Sequence, residues 1–128
     1  MSDRMHLQRA QAHAARVIAG IHTIHDLNIL VDACQAAEYA LLGVSNQPRS
    51  RYSGGALKEM HRAGAELAER RIAAIKKMRR MTPRNETEAL LRAEVLTRHF
   101  FETGADDLTE LQSIADSLIP YQQAKEAA

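Results

Sequence analysis

Residues 56–84, ALKEMHRAGAELAERRIAAIKKMRRMTPR, carry the longest uninterrupted helical pattern in the chain. At about 100° per residue, Leu57, Met60, Gly64, Leu67, Ala68, Ile75 and Met78 fall on one face, the mark of an amphipathic helix with a core-facing stripe. The opposite face divides in two. Its first half alternates sign, with Glu59–Arg62, Arg62–Glu66 and Glu66–Arg70 at i,i+3 or i,i+4, each worth about 0.2–0.5 kcal/mol. Over 70–84 stand seven cations (Arg70, Arg71, Lys76, Lys77, Arg79, Arg80 and Arg84) and no acid. Such a run is a docking surface for phosphates or for an acidic protein face. It is equally the solvated end of a helix, where cations oppose the negative carbonyl terminus. No aromatic residue is interleaved with it, so the run alone does not choose.

The rest of the chain supplies partners for that helix. Downstream, Thr82-Pro83 predicts the start of a fourth helix, with Thr as N-cap and Pro in the first turn. Its core face reads Ala89, Leu90, Ala93, Leu96, Phe100 and Phe101. Leu91 and Val95 point elsewhere, at i,i+4, and make either an intramolecular contact or the self-association seam of a homodimer. A fifth helix opens at Asp107-x-x-Glu110, with Leu108, Leu111, Ile114, Ala115, Leu118 and Ile119 as its stripe. Pro120 marks a stop or kink, and the polar tail 121–128 is expected to fray.

Upstream, the first helix runs from Ser2 or Asp3 to about Gly20 on a stripe of Leu7, Ala10, Ala14, Val17, Ile18 and Ile21. The second starts at Thr23 and ends at Gly43. One of its faces carries Ile24, Leu27, Leu30, Val31, Cys34, Ala37 and Leu41. A second strip, Ile29, Ala33, Ala36 and Ala40, is made of small residues that admit another helix closely. Two apolar faces predict a central helix buried on most sides. Residues 43–55, GVSNQPRSRYSGG, form one long flexible loop, with Arg49, Arg51 and Tyr52 as a contact-competent tip.

These elements predict an all-α fold, a single-domain bundle of about five helices over 1–120 with a polar tail. A length of 128 residues suits one domain with a real core, and 45% hydrophobic with 26% charged residues argues against disorder. Glu38 and Arg71 fall inside the apolar faces of consecutive helices. A buried charge needs a partner or a route to solvent, so the two either form a Glu38–Arg71 ion pair that sets the register of those helices or snorkel separately to the surface.

Few function classes survive. Six histidines invite a metal, but no HExxH and no Glu-x-x-His pair is present. The lone Cys34 excludes an internal disulfide, and on an apolar face it makes a poor nucleophile. No glycine-rich phosphate loop occurs. The reading is therefore not an enzyme, with no cofactor and no metal. The N-terminus is charged, and no apolar run reaches membrane-spanning length, so a cytoplasmic protein with no membrane partner is expected. Residues 1–84 hold 14 Lys and Arg against 7 acids, and 85–128 hold 3 against 9. That split suggests different partners for different faces, or mutual neutralisation.

A helix-turn-helix placed over the first two helices puts Asp26, Asp32 and Glu38 on its recognition helix and no cation, a poor match to phosphate. The expected function is a small helical interaction protein: an inhibitor, adaptor or assembly subunit. It resembles small accessory proteins of bacteria and phages in style, though no motif carries that resemblance. Its partner is expected to be a protein with an acidic surface, engaged by Arg49, Arg51, Tyr52, Arg70, Lys76, Lys77, Arg79, Arg80 and Arg84. The alternative is a nucleic-acid-binding protein that uses segment 70–84.

Overall fold

The computed structural model describes residues 3–47, 54–104 and 108–127. They form an all-α bundle of α1 (Asp3–Ala19), α2 (Ile24–Ser45), α3 (Gly54–Arg80), α4 (Glu86–Glu102), α5 (Leu108–Asp116) and α6 (Ile119–Ala127). The helix around which the others gather is α3, not α2: both α1 and α2 lie along it. His6 reaches Glu66, and Lys77 donates to the carbonyls of Ile18 and Ile21, so α1 runs in the direction of α3. Glu38 meets Arg71 while Leu41 and Leu42 neighbour Met60, so α2 runs the opposite way.

One end of this arrangement holds the core. Ile18, Ile24, Leu27, Val31, Ala74, Ile75, Met78, Ala93, Val95, Leu96 and Ile114 cluster there, drawn from five helices. Each large side chain among them contributes about 1.5–3 kcal/mol by leaving water. Of α3 only Ala74, Ile75 and Met78 are buried. Toward the other end α1, α2 and α3 continue as a three-helix arm whose apolar residues stay half-exposed.

Local chemistry sets the boundaries. Thr23 caps α2, its hydroxyl accepting from the Asp26 N–H at 3.0 Å, as the sequence predicts. The end of α2 differs: it passes through Gly43 to Ser45, where the Asn46 N–H donates to the Leu42 carbonyl. One interior glycine costs only about 1 kcal/mol, too little to break a long helix. Gly54 and Gly55 likewise begin α3, which shortens the predicted loop 43–55 from both sides. Arg49, Arg51 and Tyr52 lie outside the described residues.

The cap of α4 is Asn85, not Thr82. Its Oδ1 accepts from the Glu88 N–H at 2.9 Å, and Glu88 reaches back to accept from the Arg84 N–H at 3.0 Å. This is a capping box in the sequence Asn-x-x-Glu, shifted by one residue at its return bond. Arg84, through its guanidinium and then its backbone N–H, holds the Glu88 carboxyl below the ordinary carboxylate range.

Two expectations about α4 are corrected. Leu90 and Phe101 are exposed, whereas Val95 is 1% exposed and belongs to the core, with Leu91 packed beside it. The self-association seam assigned to Leu91 and Val95 is therefore internal. The reason is rotational. Arg92 caps the C-terminus of α3, donating to the carbonyls of Met78 at 3.0 Å and Arg79 at 2.8 Å. With Arg92 turned inward, the Leu91–Val95 side of α4 faces the bundle and the Leu90–Phe101 side faces out.

The tail is also more ordered than expected. Pro120 has no N–H, so the α5 ladder breaks at Ser117–Leu118 and restarts as α6, with Tyr121 and Gln122 donating to the Leu118 carbonyl. The Tyr121 hydroxyl donates to the Pro83 carbonyl at 3.3 Å, and Lys125 pairs with Glu86.

Candidate functional site

The cations of segment 70–84 do not form one surface, because successive residues of a helix point around its axis. Arg71 turns inward to Glu38, with Nε at 2.8 Å and Nη2 at 3.2 Å from the two carboxylate oxygens. Lys77 caps α1. Arg79 lies 2.7 Å from Glu110 of α5, and Arg84 is 3.0 Å from Glu88. Lys76 and Arg80 remain exposed beside the α1–α3 seam. Arg70 is half-buried on the other side of that seam, near Arg9, His13 and Arg16. Most of the run that reads as one docking surface is thus spent on internal pairing.

Around the Glu38–Arg71 pair sits a polar cluster that joins α2, α3, α4 and α5. Gln35 donates to both carboxylate oxygens of Glu102 at 2.9 Å. His99, half-buried beside Arg79 and Glu110, keeps its Nδ1 buried with no hydrogen-bond partner in the structure. Burial, then the Arg79 and Arg71 charges, push His99 below the ordinary histidine value, and Glu110 and Glu102 offset part of this. In the unfolded chain His99 takes up a proton more readily. Stability from this group is therefore complete above the ordinary value near 6.5 and is lost as pH falls from there through the lower folded value. His99→Gln should flatten the fall in denaturation midpoint between about pH 7.5 and 5.5. An unchanged slope in that variant would show that His99 does not carry the effect.

Cys34 behaves as an inert thiol. It is buried against α3, and burial, then the Glu38 charge, push its pKa up. Among the described residues no group of three or more His, Cys, Asp or Glu side chains is arranged to hold a metal ion.

The feature that stands out is the outer side of α2. Its buried residues, Ile24, Leu27, Val31 and Cys34, all face one way. Opposite them the strip Ile29, Ala33, Ala36 and Ala40 is exposed, Ile29 by 52%. The strip holds no charged side chain. By length and composition alone α2 is the one described helix long and apolar enough to cross a membrane, a test that the core helix of a soluble bundle also passes. α2 is held to the bundle by its buried side, Ile24, Leu27 and Val31, by the Glu38–Arg71 pair, by the Gln35–Glu102 bonds and by a 3.5 Å contact between Asp32 and Arg98.

Toward the arm, Tyr39, Leu41 and Leu42 of α2 face Met60 and Gly64 of α3 across a groove of about 400 Å³. The strip itself was readable as small and apolar. Its exposure was not, because the same pattern describes a helix buried on two sides.

Comparison with known protein families, with curated proteins and with solved structures finds no match to this chain.

Proposed function

We propose that this protein is a non-enzymatic helical interaction module that binds a helix of a partner protein along the outer face of α2. The observation that carries the reading is the uncovered strip Ile29–Ala33–Ala36–Ala40 on the side opposite the core. Small residues at 3–4 spacing let two helix axes approach to about 8 Å, and burial of Ile29 against a partner supplies the apolar gain. The apolar strip, bordered by the exposed Asp26 and Asp32, discriminates against polar partners, because a charge laid on the strip itself is desolvated without compensation. The matching surface is therefore the apolar stripe of an amphipathic helix.

The acidic character expected of the partner does not derive from this face, since α2 carries no Lys or Arg. It belongs, if anywhere, to the α1–α3 side, where Lys76 and Arg80 stand free of ion pairs among the described residues.

Ala36→Glu with Ala40→Glu should abolish capture of the partner by the full chain while leaving the melting temperature within a few degrees, since both sites are exposed. Retained capture by a folded double variant would remove α2 from the account. Loss of a wild-type dimer in light scattering, with no other protein involved, would reassign the face to self-association.

A further inference from the structure

A second site lies between α1 and α3 and does not rest on the α2 reading. Where α1 crosses α3 there is a cleft of about 620 Å³ lined by His6, Arg9, His13 and Arg16 of α1 and by Glu66 and Arg70 of α3, with Ala10 and Ala12 as small wall residues. Arg9, His13 and Arg16 follow one another at i, i+4 and i+7, so their side chains leave the same face of α1 over about 10 Å of helix. Arg70 faces them from α3.

Glu66 is the one carboxylate in the lining, and it stands 3.6 Å from His6. Arg9, Arg16 and Arg70 enter no ion pair among the described residues, and the Arg70 Nε–H is buried with no acceptor. This sets them apart from Arg71, Arg79 and Arg84, whose charges are each met by a carboxylate. Three guanidinium groups against one carboxylate leave the cleft cationic even with both histidines neutral.

We propose that this cleft binds a polyphosphate-bearing small molecule, its phosphoryl groups laid along the Arg9–His13–Arg16 row with Arg70 closing from α3. Guanidinium is the group best matched to phosphoryl oxygens, because its planar fork donates two parallel hydrogen bonds. A phosphoryl head carries about −1.5 to −2 charges, so few heads neutralise the cleft where carboxylates would need to be packed twice as densely. A row about 10 Å long exceeds a single head and suits two or three joined ones. Among the described residues no Phe, Tyr or Trp lines the cleft, while three guanidinium groups do, so the phosphates are the part it recognises best.

Titration of the full chain with tripolyphosphate at low salt, followed by calorimetry, tests this. The expected result is saturable binding at one site per chain. Arg9→Gln with Arg16→Gln, both at exposed positions, should weaken it about tenfold or more. Lys76→Gln with Arg80→Gln, on the opposite side of the same seam, should leave it within about twofold. Arg70→Gln should weaken it too, but the exposed pair decides, since Arg70 is half-buried and its loss can disturb folding. Absent saturation, equal losses from both double variants, or tighter binding of a glutamate-rich peptide or a DNA duplex than of tripolyphosphate would overturn the assignment.

Discussion

Arg71→Ala should lower folding stability by about 3 kcal/mol, and most of that loss should disappear when Glu38 is removed as well. The two side chains are each 19% exposed and form a two-point contact at 2.8 and 3.2 Å. Truncating Arg71 leaves the Glu38 carboxylate half-buried with no cation to meet it. That desolvated charge, rather than the lost attraction, is the larger part of the cost. The hydrogen bond that Arg71 donates to Glu38 is also what raises the Arg71 pKa above its ordinary value. In a urea-unfolding cycle, Glu38→Ala should cost less than Arg71→Ala, and the double variant should be more stable than the sum of the single losses implies. Additive losses would show two side chains that are near each other but energetically separate. Gln35 bonds Glu102, whose charge also favours the Arg71 cation, so Gln35→Ala, with an expected cost of about 1 kcal/mol, measures how far that neighbour supports the pair.

Two adjacent phenylalanines should behave in opposite ways. Phe100 is the largest fully buried side chain, and Phe100→Ala should cost about 3–5 kcal/mol through lost burial and the cavity left behind. Phe101 is 67% exposed and touches Phe100 edge to face, with ring centroids 5.4 Å apart. Phe101→Ala should cost about 1 kcal/mol, the value of that ring contact. The measurement is again the denaturant midpoint, with an unchanged slope as the sign that the folded state keeps its compactness. Comparable losses at both positions would mean that α4 sits in the bundle with a different rotation from the one described.

That rotation marks where the sequence stops being readable. Both faces of α4 share Ala89, Ala93, Leu96 and Phe100, and the apolar pattern permits either Phe101 or Val95 as the flank turned inward. What decides is Arg92, which a hydropathy pattern places on the surface but which the fold uses to cap α3. A side chain that acts through a tertiary carbonyl contact leaves no trace in local spacing. Elsewhere the local signals were sufficient. Thr23 starts α2 because a hydroxyl cap is a short-range device. Glu38 and Arg71 stood out because each interrupts an apolar face, and a charge in such a place requires compensation.

Asn85 was equally readable, since Asn-x-x-Glu is a capping signature, but Pro83 drew the boundary three residues too early. The candidate sites fared worse for a related reason. A run of cations in sequence is not a surface in space, and here four of the seven were taken up by internal partners. The phosphate cleft draws instead on α1, whose cations are diluted by alanine and glutamine and form no run. The exposed strip of α2 was visible as composition, while its exposure is a property of where α1, α3 and α4 lie.

The claim that α2 presents the partner-binding face is tested most directly by photo-cross-linking. A benzophenone amino acid is placed at Ala36 in one full-length variant and at Lys76, on the α1–α3 seam, in another, each irradiated in the cells that make the protein. The predicted result is a discrete adduct from position 36, with a single partner protein identified in it by mass spectrometry, and no equivalent adduct from position 76. Adducts from position 76 with none from position 36 would contradict the account and move partner binding to the basic side of the bundle.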